Sequence, residues 1–285
     1  MQTQTATANA RRPTLDTQTT YVNALYYGEP GSGKTTSAAG LARVGKVVFV
    51  DAESGLKKQP LDALGVPIEN IQLHTQVTFA ALEELCRQLR RELAQDPDAY
   101  AGVVLDSLSE IQRALIEQDA PGRFRLTQGD YGENTQKLRL LCRHYRDLPC
   151  HVAFTTHVRR DEDDDGEVHF GPALTPAVAG DLLGFVDIVC YARAVARPGA
   201  DEPDYLGSFR PGRKFIAKDR FGALPPRLLS PTFDRLIAYT AGTYTREALR
   251  LAAERGELRA DLDSLQDDYR KRITSKATTT SKETR

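Results

Sequence analysis

The stretch Gly28-Glu29-Pro30-Gly31-Ser32-Gly33-Lys34-Thr35-Thr36 constrains this chain more than any other. It fits G-x-x-x-x-G-K-[ST], and its flanks meet the demands of that pattern. Tyr21 to Tyr27 reads as a strand; Thr36 to Arg43, alanine-rich and followed by Gly45, reads as a helix. A strand feeding a glycine loop that opens a helix cradles phosphate. Gly31 and Gly33 allow positive φ, which turns successive backbone N–H groups onto an anion at the positive end of the helix dipole. Lys34 then reaches the β- and γ-phosphates, and the Thr35 hydroxyl ligates Mg²⁺. The pattern implies a nucleoside triphosphate site, with ATP and Mg²⁺ the expected ligands and Gly28 through Thr36 the residues that hold them.

Composition sets the limits on everything else. With 40% hydrophobic and 27% charged residues in 285, the chain has ample length for a globular core. A net charge of −1 excludes coating nucleic acid by bulk charge, so any such contact is local. No apolar run approaches the ~20 residues a membrane span needs. Met1 to Thr20 is polar and lacks the apolar segment of a signal peptide, so a cytoplasmic location is expected. Cys86, Cys142, Cys150 and Cys190 are scattered with no C-x-x-C pair, as expected of reduced, mostly buried thiols.

Along the chain, Lys46 to Val50 and Ala101 to Leu105 are continuous apolar runs ending in acids, as in strands buried on both faces of a parallel sheet. Ile71 to His74 and His151 to Thr156 are further candidate strands. Between them, Phe79 to Leu93 places Leu82, Leu85, Cys86, Leu89 and Leu93 on one helical stripe. Helices are also expected over 109–118 and 133–145, and a loop over 119–130. Val158 to Phe170 reads as a hairpin with a charged, glycine-bearing tip. Strands follow at 185–195, 205–209 and 214–218, then helices at 245–255 and 262–269 and a Thr/Ser/Lys-rich tail. Strand–helix alternation followed by a run of strands predicts one α/β domain with a mostly parallel central sheet flanked by helices and a C-terminal β extension.

The strand ending in Leu105-Asp106 has the form of a Walker B segment, delivering an acid to the carboxyl edge of the sheet, where it can hold the Mg²⁺ water shell. Asp106 could instead cap the following helix; beside a complete phosphate loop the metal role is the better reading. Hydrolysis also needs a group that polarises water. Glu53, just past a strand end, and Glu110, four residues after Asp106, both qualify by position.

These segments carry a resemblance. Val50-Asp51-Ala52-Glu53 is similar to the strand-end D-A-E of RecA-type recombinases, which implies that Glu53 activates water. Ala217-Lys218-Asp219-Arg220-Phe221-Gly222 resembles the K-N-R-F-G motif of bacterial RadA, with Asp219 in place of Asn. That resemblance implies that Lys218 and Arg220 act across a subunit interface on a neighbour's γ-phosphate. Thr155-Thr156-His157 matches the position of the polar sensor that couples the γ-phosphate to DNA loops, which makes His157 a site residue. From about Tyr21 to Tyr239 the order of segments most resembles the phage-encoded RecA-like ATPases of the single-strand-annealing (Sak) type. Asn134-Thr135 through Arg146-Asp147-Leu148-Pro149 and Lys214 through Arg220 carry that nearer match.

The resemblance implies a RecA-like P-loop core over 21–242; the residue pattern itself places helices over 243–270 and disordered, polar ends at 1–20 and 271–285. The resemblance also implies single-stranded DNA as a partner, a homo-oligomeric ring or filament with ATP at subunit interfaces, and a phage protein working in the host cytoplasm. A single-stranded-DNA-binding protein is a further candidate partner. Two loops would line the DNA. The first, 120–131, offers Arg123, Phe124, Arg125, Gln128 and Tyr131, cations and aromatics suited to a single strand. The second, 158–175, offers Arg159 and Arg160, followed by the acidic run Asp161 to Asp165. Competing readings are a P-loop small-molecule kinase, for which no arginine-bearing lid is evident, and an assembly module that binds ATP without turnover. No Asn-Lys-x-Asp segment marks a GTPase.

Overall fold

In the computed structural model, residues 21–119, 121, 127–196 and 203–241 are described. The chain opens with β1 (Asn23–Gly28), α1 (Lys34–Ala39), β2 (Val47–Asp51), α2 (Lys58–Ala63), β3 (Ile71–His74), α3 (Phe79–Gln95), β4 (Gly102–Asp106) and α4 (Leu108–Asp119). It continues through α5 (Gln128–Arg146), β5 (His151–Glu162), β6 (Val168–Pro172), α6 (Pro176–Phe185), β7 (Ile188–Val195) and β8 (Asp204–Ser208). β9 (Lys218–Asp219), β10 (Arg227–Leu229) and α7 (Phe233–Thr240) complete it. The strands form one sheet in the order β10-β8-β7-β1-β5-β4-β2-β3, with β6 on β5 and β9 on β7. From β7 to β3 every pairing is parallel; β6, β8, β9 and β10 join antiparallel. The mostly parallel α/β core expected from the buried runs is present.

Strand side chains alternate between two apolar layers. Ala24, Tyr26, Val47, Phe49 and Val104 face α1, α2 and α7, while Leu25, Tyr27, Val48, Val50 and Leu105 face α3 to α6. Because both faces are covered, the central strands read as unbroken apolar runs. The α3 stripe is the one its periodicity predicts: Leu82, Leu85, Cys86, Leu89 and Leu93 are buried. The Thr78 hydroxyl caps this helix by accepting the Ala81 N–H at 3.2 Å. Tyr145 of α5 donates to the Leu82 carbonyl at 2.8 Å, joining two helices of the same layer.

Several boundaries differ from the sequence expectation. The first helix gives way at Gly40 to a 3₁₀ turn through Arg43, where a Cβ would lie 2.8 Å from Thr232 and Asp234 beneath α7. β5 does not stop at Thr156 but runs on to Glu162, so the hairpin is a direct extension of a core strand. α5 begins at Gln128, inside the segment expected as loop. The strand expected over 214–218 shrinks to Lys218–Asp219; Phe215 makes a lone bridge to Phe170. Phe185 ends α6, and the strand after it starts at Ile188. The helices expected at 245–255 and 262–269 lie outside the described residues.

Candidate functional site

Parallel registers bring the ends of non-consecutive strands to one edge. Gly28 stands opposite both His157 and Ala192, and Asp51 opposite Asp106. Gly28 is required there, since a Cβ would sit 2.1 Å from the Ala192 carbonyl oxygen. Gly31 and Gly33 hold φ of 74° and 79°, the positive values that the phosphate loop demands. Gly33 caps α1, and the Tyr205 ring of β8 packs against it, 2.8 Å from where its Cβ would be. Tyr205 is a site neighbour that no local pattern announces.

Lys34 is buried, its ammonium donating to the carbonyls of Gly28 at 3.0 Å and Glu29 at 2.8 Å. Burial pulls its pKa down, while Asp106, Glu53 and Glu29 favour the charged form. Asp106 is buried too and accepts hydrogen bonds from the Thr155 and Thr35 hydroxyls. Burial pushes its carboxyl up, and the nearby Glu53 and Asp51 charges push the same way. Asp106, Glu53 and Glu29 act on the Lys34 ammonium, and Asp51 adds its charge beside Asp106, so carboxylates outnumber the ammonium there. Such an excess of hard oxygen donors suits a divalent cation, and Thr35 with Asp106 can hold Mg²⁺ beside the phosphates.

Asp51 and Glu53 divide their work. The Asp51 carboxylate accepts the N–H groups of Gly55 at 2.9 Å and Leu56 at 3.1 Å, closing a tight turn with Ser54 at φ 52°. That turn presents Glu53 to the site. Glu53 Oε1 lies 3.0 Å from His157 Nε2 and accepts from the Ser107 hydroxyl. Ser107 is a residue that sequence reasoning passed over, although it directly follows the strand-end acid. Glu110 instead pairs with Arg113 at 3.0 Å on the surface of α4. His157 Nδ1 and the Thr156 hydroxyl are buried with no hydrogen-bond partner among the described residues.

The remaining predicted residues fall elsewhere. Arg160 bonds Glu29 Oε1 through two nitrogens, at 3.0 and 2.6 Å, and lies over Phe170. Arg159 pairs with Asp161 at 2.8 Å and donates to the Leu174 carbonyl. Tyr131 falls on α5, and Arg123 and Arg125 lie outside the described residues. Lys218 and Arg220 sit at the other edge of the sheet. Lys218 faces Val189 and Arg220 N bonds Asp187 O, about 16 Å along β7 from Ala192 at 3.3 Å per residue. The Lys218 ammonium caps the end of α6, donating to Leu183, Gly184 and Val186 carbonyls at 2.6–3.1 Å. Arg220 pairs with Asp187 at 2.9 Å and donates to Gly184 O. Between them the fully buried Asp219 carboxylate accepts three N–H groups, from Phe221, Gly222 and Leu224, and the Arg210 guanidinium at 2.9 Å. Asp219 therefore organises the turn that holds the two cations apart.

Phosphate loop, strand-end acids and an ordered carboxylate–imidazole pair at one sheet edge are the parts of a nucleotide-hydrolysing site. Among the described residues no helix is long and apolar enough to cross a membrane. No curated protein matches the chain. A family model described as an AAA domain matches residues 20–221, from the strand before the phosphate loop through Phe221, and P-loop ATPases of this kind generally use ATP with Mg²⁺. The chain belongs to this AAA-type family of P-loop ATPases.

Proposed function

We propose that this ATPase binds single-stranded DNA through its β5–β6 hairpin and promotes annealing in recombination, as a homo-oligomer with nucleotide at subunit interfaces. One observation carries the reading. β5 runs without a break from Thr155-Thr156-His157 at the nucleotide edge into the hairpin bearing Arg159 and Arg160, and Arg160 is bonded to Glu29 of the phosphate loop. Any change at the γ-phosphate thus has a stiff route to the hairpin. The acidic tip is folded on itself, with Asp163 bonded to His169 and to backbone N–H groups of Asp165 and Glu167.

In this reading Glu53 activates the attacking water, oriented by Ser107 and His157, and Lys34 stabilises charge on the γ-phosphate. Lys218 and Arg220, remote from their own loop, serve the next subunit. A cavity of about 790 Å³ beside Arg220, lined also by Arg146, Phe185 and Asp187, leaves room for a neighbour. The test is ATP turnover by the full chain with and without single-stranded DNA. Stimulation is expected. Turnover only on a small acceptor, or nucleotide binding without any turnover, would overturn the reading.

A further inference from the structure

Beside the phosphate loop lies a charged cluster of which one member, Arg193, has no part in the roles above. β7 runs against β1, and Ala192 presses its carbonyl toward Gly28. The next residue, Arg193, turns to the face that carries Tyr191 and the hairpin. Its guanidinium lies 5.4 Å from the Tyr191 ring centre and 6.0 Å from that of Phe215. Tyr191 stacks on Phe170, over which Arg160 sits. Two guanidinium groups therefore rest on one aromatic stack, and a single carboxylate, Glu29, bonds one of them. Burial raises the Tyr191 phenol pKa, with Arg193 opposing, Glu29 adding and Arg160 opposing, so all three charges lie within reach of one hydroxyl. Arg193 Nε is buried without a hydrogen-bond partner among the described residues.

The cluster stands at a definite end of the loop. The Lys34 ammonium, the group that reaches the β- and γ-phosphates in such loops, lies 2.8 Å from the Glu29 carbonyl. The Glu29 carboxylate is close enough to favour the charged form of that ammonium. A carboxylate here opposes an incoming terminal phosphate unless it is held aside and overcompensated. Arg160 holds it; Arg193 is the excess positive charge. Resting on an aromatic face orders the planar fork in advance, which leaves less freedom to lose on binding an anion.

We propose that Arg193 contacts the terminal phosphate of the bound nucleotide from within its own chain and so distinguishes triphosphate from diphosphate. The proposal rests on the nucleotide site described above and adds a residue to it. It is separate from the trans cations, since it requires no second subunit.

The test is equilibrium binding of ADP and of adenylyl imidodiphosphate to the full chain, parent against Arg193→Met, which keeps the apolar stem on the rings and removes the charge. Loss of a charge-assisted contact should weaken the triphosphate analogue about tenfold or more while ADP changes less than about twofold. Arg193→Lys, which keeps the charge but not the fork, should fall between and carries the test if the methionine variant does not fold. Parallel weakening of both nucleotides would make Arg193 a structural support, and no change in either would remove it from the site. A parent that binds neither nucleotide would remove the nucleotide site itself, and this proposal with it.

Discussion

Arg220→Ala tests whether the cations at the far sheet edge work on a neighbour. In its own chain Arg220 is half-exposed, paired to Asp187 at 2.9 Å and about 16 Å along β7 from the register of Gly28. Asp187 keeps a partner without it, the Asn23 N–H at 3.1 Å. The guanidinium is half-exposed and the mostly buried Asp187 keeps that second donor, so losing the pair should cost about 1 kcal/mol and the variant should fold and bind ATP as the parent does. Its turnover should fall by roughly 10³-fold, the scale of a lost arginine finger. Lys34→Ala should be inactive for a different reason, lacking productive triphosphate binding. In a head-to-tail assembly each site takes its loop from one subunit and its Arg220 from the next. Random mixing of the two inactive variants in equal amounts then leaves about one interface in four with both parts intact, and turnover should recover toward about a quarter of the parent rate. The assay is steady-state phosphate release from each variant and from the mixture after co-incubation. No recovery, or full parental activity in a demonstrably monomeric preparation, would refute the trans role.

Glu53→Gln keeps an oxygen for Ser107 and His157 but cannot take a proton, so turnover should drop roughly 10²-fold with nucleotide affinity kept, while Glu110→Gln changes little; the opposite ranking in steady-state kinetics would overturn the choice of base. Asp219→Asn puts an amide N–H₂ where one carboxylate oxygen accepts from both Leu224 and Arg210 or the other from both Phe221 and Gly222, and should cost about 2 kcal/mol in urea unfolding; an unchanged midpoint would deny that the carboxylate organises this turn. Burial lowers the His151 imidazole from 6.5 to about 4, where its Nδ1 accepts the Val22 N–H. Because its folded pKa is depressed, the unfolded chain binds the extra proton between these values, and stability is complete above 6.5 and lost as pH falls toward 4. Unfolding free energy should drop by about 2 kcal/mol from pH 7 to pH 5, and His151→Gln should flatten that part of the slope.

What the sequence revealed and what it hid divide by range. The phosphate loop is legible because its geometry is set by consecutive residues, and the α3 stripe because a helix covered on one side repeats its apolar positions. α6 is hidden for the opposite reason: Pro-Ala-Val-Ala-Gly-Asp-Leu-Leu-Gly-Phe is apolar nearly all round and carries Gly180 and Gly184, so no period stands out. β9 is hidden because the chain leaves the sheet after Ser208, with Phe215 meeting Phe170, and returns only at Lys218. The contact of Glu53 with Ser107 and His157 needs β2, β4 and β5 side by side, and the Arg160–Glu29 bond spans 131 residues. Strand-end position placed Glu53 and His157 near a carboxyl edge; only the register showed which side chains meet there.

The two edges of a parallel sheet are chemically unlike, and this shapes how such a subunit can assemble. At the carboxyl edge converge a phosphate loop, acids and an imidazole; at the amino edge lie Lys218 and Arg220, tied to the end of α6 and to Asp187. A two-fold dimer pairs like surface with like, so it would set loop against loop or cation against cation. Only a heterologous contact brings the amino edge of one subunit onto the carboxyl edge of the next, and such contacts generate rings or filaments. The same opposition orders the events proposed for this ATPase. Arg193 and Lys34 belong to one chain and can recognise triphosphate before any neighbour arrives, whereas Arg220 can contribute only after it does. Nucleotide recognition would then precede assembly, and hydrolysis would follow it. Turnover per subunit should accordingly rise with protein concentration while affinity for a non-hydrolysable triphosphate stays flat.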